Sequence, residues 1–274
     1  MNRRSISNIA LPPFDHLRDL PALAGLGFGG LEVAPSRVWR DGWNAAGVAA
    51  YRRAVEDAGL RVVGLHSLFF DRPELGLFKS AELRARTLEF MVALSALCRD
   101  LGGRTLIYGG GRRRGEMPAA EARAECVAFL SDLLPRMEDH GTRLCFEPLG
   151  PKDSDFLNTA AECRALANEI GHPALGLQLD AKALVENGET GPETFAAVAG
   201  RLDHFHVNDP GLVVPGSTGA VDHAVLGERL RAIGYDGWVS IEQRQLSATD
   251  PLADAATGAA LLDRCYGGGG ARRP

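Results

Sequence analysis

The chain has 274 residues, enough for one large α/β domain or two small ones, and no Pro/Ser-rich or charged linker divides it. Hydrophobic residues make up 45% and charged residues 24%, ordinary for a globular protein with a full core, and the net charge of −5 argues against a surface built to attract nucleic acid. No apolar stretch reaches 18 residues and the N-terminus is not signal-like, which excludes a membrane partner and gives a soluble, cytoplasmic protein as the expectation.

In chain order the pattern is strand, then helix, repeated. SISNIA (5–10) and GLEVA (30–34) read as the first two strands, followed by a helix over 47–59. RVVGLH (61–66) is a third strand, and a long amphipathic helix over 81–102 follows it, closed by Gly. RTLIY (104–108) leads into GGGRRRG (109–115), whose Arg112, Arg113 and Arg114 read as a solvated charge run, with a phosphate or carboxylate grip as the alternative. A helix over 119–141 carries Pro135 as a kink, then come RLCFE (143–147), a helix over 159–171 and LGLQLD (175–180). LDHFHV (202–207), a helix over 223–234 and WVSIE (238–242) complete the series. Each strand is short and apolar, as buried parallel strands are, and Gly recurs where short αβ loops need it. Eight such strands alternating with eight helices predict an α/β protein made of a single (β/α)8 barrel over residues 1–266, a TIM barrel. An open doubly wound sheet needs a glycine-rich phosphate turn after its first strand, and ALPPFDH is not one. Residues 267–274, GGGGARRP, read as a flexible C-terminal tail. The five scattered cysteines read as small buried apolar residues rather than a disulfide framework.

Four of these strands end in a possible metal ligand: Glu147, Asp180, His206 and Glu242, at spacings of 33, 26 and 36 residues. That is about one strand plus one helix each time. In a closed parallel barrel all four side chains converge at the C-terminal rim, where three carboxylates and an imidazole make a divalent-metal site. The bland alternative is a barrel whose buried acids pair with Arg143 or Lys182, because a buried unpaired acid is costly. Around the four, Glu32 and His66 end strands two and three and are candidates for substrate contact or for hydrogen-bonded core. Trp39 is a candidate sugar-pocket wall or packing residue. Asp209 either holds the His206 loop or touches substrate, Arg244 is placed to clamp a substrate oxygen, and His204 reads as a supporting or core residue beneath His206.

The segments GFGGLEV, GLHS, LCFEP, LGLQLD, FHVND and GYDGWVSIEQR resemble, in order, strand-end motifs of the xylose-isomerase-like superfamily, the sugar phosphate isomerase/epimerase family among them. The resemblance covers roughly residues 5–265 and also takes in ketose 3-epimerases, inosose dehydratases and the endonuclease IV group. It implies one Mn²⁺, Mg²⁺ or Co²⁺ on Glu147, Asp180, His206 and Glu242, with Zn²⁺ open, and Mn²⁺ as the first expectation. It also implies that Glu147 and Glu242 are the catalytic pair. One would take a proton beside a carbonyl that the metal polarises, giving an enediolate, and the other would return it from the opposite face. The expected substrate is a sugar or polyol, and a homo-oligomer is expected by resemblance. Position 183 is Ala where many members carry His, and Lys182 is a candidate substitute. His66 is a candidate for one extra ligand of a three-metal cluster and Asp222-His223 faintly suggest others, which leaves such a cluster incomplete. The competing functions are a dehydratase or lyase of a keto-polyol or glycosylated compound, an endonuclease IV-like enzyme, and a non-catalytic binding barrel.

Overall fold

The structure is a computed structural model and describes residues 3–267, so most of the expected tail lies outside the described residues. The strands are β1 (Arg3–Ser7), β2 (Gly30–Val33), β3 (Arg61–Leu65), β4 (Thr105–Tyr108), β5 (Arg143–Phe146), β6 (Leu175–Asp180), β7 (Leu202–Val207) and β8 (Trp238–Ile241). They close in sequence order, each pairing in parallel with the next and β8 with β1, so the expected barrel is the fold. The helices outside it are α1 (Leu20–Gly25), α2 (Ala45–Asp57), α3 (Ala81–Asp100), α4 (Ala119–Met137), α5 (Ala160–Ile170), α6 (Ala181–Glu186), α7 (Pro192–Val198), α8 (His223–Ala232) and α9 (Pro251–Leu261). None is long and apolar enough to cross a membrane.

Local chemistry explains where these elements depart from the sequence reading. The first strand stops at Ser7 rather than running to Ala10, because the Ser7 side chain accepts from the Ile9 N–H and starts a 3₁₀ turn over Asn8–Ala10. Asn8 then bonds the residue that follows β2, accepting from the Ala34 N–H at 2.8 Å and donating to the Ala34 carbonyl at 3.4 Å. The β6–β7 connection holds two short helices, not one. Asp180 ends β6 and also caps α6, its Oδ1 accepting from the Ala183 N–H at 2.8 Å. That bond fixes one carboxylate oxygen and leaves the other facing the barrel axis.

Two apolar layers form the core: strand residues such as Leu31, Leu106, Leu144, Leu179 and Phe205 point outward against helix residues such as Val55, Met91, Leu130 and Phe195, all buried. The barrel interior is different. Ser5, Ser7, Glu32, His66, Gln178, Asp180, His204, His206 and Ser240 are polar and each at most 3% exposed. Buried polar side chains on alternate strand positions are costly unless they bond one another, so this inner column must be a connected network. The five cysteines are free.

Candidate metal centre

The four strand-end residues meet at the C-terminal mouth. Glu147 and Glu242 stand one residue beyond β5 and β8, Asp180 is the last residue of β6, and His206 lies one from the end of β7. His206 Nδ1 is 2.7 Å from Glu147 Oε1, 3.5 Å from Glu242 Oε2 and 3.8 Å from Asp180 Oδ2. One ligand atom from each of the four lies within 4.8 Å of those of the other three, a spacing that suits donors arranged around a single ion. Neither Arg143 nor Lys182 neutralises them: Arg143 pairs with Asp203, and Lys182 with Asp153.

Side chains around the set hold it in place. Asn208 Nδ2 donates to Asp180 Oδ2 at 2.6 Å and to Glu242 Oε2 at 2.9 Å, while its Oδ1 accepts from the Lys182 N–H at 2.9 Å. Gln178 Nε2 donates to Glu147 Oε1 at 3.3 Å. Gly109 lies against Glu147, and a Cβ there would sit 2.6 Å from Oε2, so a side chain at 109 would displace the carboxylate. His206 Nε2 faces both oxygens of Glu32 at 3.1 and 3.2 Å. With Nε2–H given to Glu32, Nδ1 is left as the lone-pair nitrogen that a cation requires, and the carboxylate sets the ring's tilt.

The charges show the same design. Burial pushes the Asp180 carboxyl up, and the Glu147 and Glu242 carboxylates push it further, well above the carboxylate range. Burial opposes ionisation of Glu242 too, but His206 and His66 outweigh it and hold it down to about 2. For His206 burial favours the neutral ring, but Glu32, Glu242 and Glu147 together raise it well above the usual imidazole value. Burial opposes the Glu32 charge, yet His206, His204 and His66 hold that carboxyl well below its ordinary range. Three crowded carboxylates with one imidazole between them call for positive charge, which a divalent ion supplies.

The structure places each of the other candidate residues. Glu32 is fully buried beneath the cluster, bonded to His206 and accepting from Ser240 Oγ at 2.9 Å, the arrangement of a hydrogen-bonded core residue. His204 Nε2 lies 3.1 Å from the same carboxylate, and its ring packs edge-on against His206, as a supporting residue does. Asp209 is also fully buried and spent: it accepts from the Gly216 N–H, the Thr218 N–H and hydroxyl, and faces His223 Nε2 at 2.8 Å. It holds the loop after β7 and leaves no oxygen for substrate. Lys182 turns to Asp153 and to Glu186 at 3.8 Å. Trp39 packs on Trp43 and Tyr51, with ring centroids 6.2 and 5.4 Å away. His66 does reach the cluster, its Nδ1 3.3 Å from Glu242 Oε1 and its Nε2 against the Ser7 hydroxyl. Arg244 is exposed and makes no ion pair among the described residues. The arginine run is not a solvated face throughout. Arg113 is exposed, but Arg112 is 1% exposed and all its bonds go inward. Asn208, Gln178 and Arg112 are the residues that sequence reasoning missed. Asn208 and Gln178 carried a signal only as members of the FHVND and LGLQLD motifs, and Arg112 only as part of the charged loop.

A closed parallel barrel with a cluster of acids and one imidazole at its C-terminal mouth, able to hold a metal ion, defines a TIM-barrel protein. The family model described as xylose isomerase-like TIM barrel matches residues 20–265, and the chain belongs to that family. Among curated relatives, an L-ribulose 3-epimerase of Mesorhizobium japonicum is 27% identical over 71% of this chain and 66% of its own length. A putative hydroxypyruvate isomerase of Streptomyces coelicolor is 30% identical over 75% of this chain and 76% of its own. A ketose 3-epimerase of Arthrobacter globiformis is 28% identical over 62% of this chain, which spans little more than half of it, 57%. Of solved structures, a D-psicose 3-epimerase studied in the presence of D-fructose superposes with a TM-score of 0.81 at 22% identity, covering 97% of this chain and 100% of that one. A 3-keto-D-glucoside 4-epimerase of E. coli gives a TM-score of 0.81 at 21% identity over 97% of this chain and 100% of its own. These two likenesses speak to the fold.

Proposed function

We propose that the protein is a divalent-metal-dependent isomerase or epimerase of a sugar or polyol, with Mn²⁺ on Glu147, Asp180, His206 and Glu242. The observation that carries the reading is the unequal exposure of the four. The side chains of Asp180 and His206 are 4% and 0% exposed, whereas those of Glu147 and Glu242 are 9% and 12% exposed and face the mouth. Two donors thus anchor, and two also meet whatever enters. The sugar epimerases and isomerases among the relatives fit the same chemistry.

When bound, the ion supplies a Lewis acid that polarises a substrate carbonyl and acidifies the neighbouring C–H. Glu147 and Glu242 then serve as the proton-transfer pair, one removing the proton and the other returning it. Return to the same carbon inverts it, and return to its neighbour shifts the carbonyl. Asn208 holds Glu242 and Asp180 in fixed orientation, and His66 faces the other Glu242 oxygen, so that carboxylate is aimed before substrate arrives. Arg244, exposed just beyond the site, remains the candidate for a substrate oxygen.

The test is solvent exchange. Protein supplied with Mn²⁺ in D₂O should place deuterium on the carbon beside the carbonyl of L-ribulose, D-psicose or hydroxypyruvate. Chelation by EDTA should abolish the exchange and Mn²⁺ should restore it. Exchange that survives thorough chelation, or a protein that takes up no divalent ion, would overturn the proposal.

A second prediction concerns the carboxylate under His206. Glu32→Gln keeps the shape but gives up the charge that fixes the ring. Metal affinity should fall about 10- to 100-fold, as when such partners are removed elsewhere. Equilibrium titration of the ion checks this, and unchanged affinity would mean that the Nε2 contact does not orient the ligand.

A further inference from the structure

The opposite rim of the barrel carries a cavity of about 910 Å³. Its floor is the N-terminal end of the sheet, where Arg3, Arg61 and Trp238 are the first residues of β1, β3 and β8. Its walls are the turns after α1, α2 and α3, together with Arg4 and Arg52. Four arginines therefore line one bowl, in a chain whose net charge is −5. Glu56 is the one acid in the lining, and Arg52 already holds it at 2.8 Å.

Capping of helix ends accounts for only part of this charge. Arg52 Nη1 donates to the Asp100 carbonyl at the end of α3, and Arg4 pairs with Asp263. Arg3 and Arg61 are exposed and make no ion pair or side-chain hydrogen bond among the described residues. Arg3 instead lies over the Trp238 ring, 5.9 Å from its centroid. Uncompensated like charges around a concavity repel one another, and an anion placed among them removes that repulsion. Guanidinium forks match phosphate oxygens two at a time, which an ammonium does not do.

We propose that this bowl binds a small polyanion of the phosphate-ester or polyphosphate class, independently of the metal centre at the other rim. A concave site of this size suits a small molecule, and the net negative charge of the rest of the chain disfavours a polyanionic chain such as nucleic acid.

Inorganic pyrophosphate, titrated calorimetrically into the full chain at low ionic strength, is the probe. Because pyrophosphate also chelates divalent ions, two variants separate the rims. Saturable binding of one pyrophosphate per chain is expected, unchanged in Glu147→Gln and at least tenfold weaker in Arg3→Gln/Arg61→Gln. Both arginines are exposed and their side chains make no ion pair or hydrogen bond among the described residues, so the double variant should melt close to the parent. Absence of saturable binding overturns the proposal, as does a loss of less than tenfold in the double variant or binding that vanishes in Glu147→Gln.

Discussion

Glu147→Gln and Glu242→Gln should each lower kcat by about 10²- to 10⁴-fold, the range in which general acid–base groups contribute, or about 3–5 kcal/mol of barrier. Each substitution keeps the side chain's size. Each removes one negative charge from the proposed metal set and one group able to carry a proton. The informative readout is the direction of failure. If the two carboxylates serve opposite faces of one carbon, a variant lacking one of them should still exchange the C–H of the epimer that the other reaches. It should do so without completing inversion, and the other variant should show the opposite preference. Metal occupancy has to be held constant by working with saturating Mn²⁺, because both residues also ligate. Equal loss of exchange from both epimers in both variants, at full occupancy, would show that the residues act as ligands only. Asn208 provides a control, since it touches Asp180 and Glu242 but carries no exchangeable charge. Asn208→Ala should therefore weaken catalysis without selecting between epimers.

The four donors were legible because each closes a short apolar run. A polar residue at the end of such a run in a parallel barrel has one place to go, the C-terminal mouth, and the repeat of one strand plus one helix carries all of them to the same rim. What surrounds them was not legible, for reasons of register and distance. Glu32 and His206 stand 174 positions apart on β2 and β7 and meet only across the barrel axis. Which layer each side chain occupies depends on the stagger between strands, which no local pattern encodes. For Asp209 the sequence left open whether it holds the loop after His206 or meets a substrate; the loop folds back and encloses it among Gly216, Thr218 and His223. The strand limits agree to within one residue except at β1, where the Ser7 side chain competes for the backbone.

Arg112 is the sharpest case of a residue whose composition misleads, and its substitution carries the largest expected loss of stability. Three consecutive arginines in a glycine-rich loop read as solvated charge. In the structure Arg112 folds under the loop, and its five N–H donors meet five main-chain carbonyls. Nε donates to Phe156 at 3.0 Å, Nη1 to Tyr108 at 2.5 Å and Gly109 at 2.8 Å, and Nη2 to Glu147 and to Leu157 at 3.1 Å. No carboxylate is among these partners. The guanidinium instead joins the ends of β4 and β5 to the loop that precedes α5, and it holds the carbonyl of Glu147 itself. Arg112→Met keeps much of the apolar stem but strands those carbonyls, each worth about 1–3 kcal/mol when buried without a donor. Water entering from the mouth would rescue some of them, so the net loss should be about 3–5 kcal/mol, as when a buried charged partner is removed. In a domain of this size that lowers the melting temperature by roughly 10 °C. Arg112→Lys, with three donors on a rotating ammonium, should fall between the two, because it cannot span the same fork of acceptors. The Mn²⁺ affinity of the Lys variant should fall alongside, since the Glu147 backbone loses part of its anchor. A Met variant that melts within about 1 kcal/mol of the parent would mean that the carbonyls find other donors and that the mouth keeps its shape without the clamp.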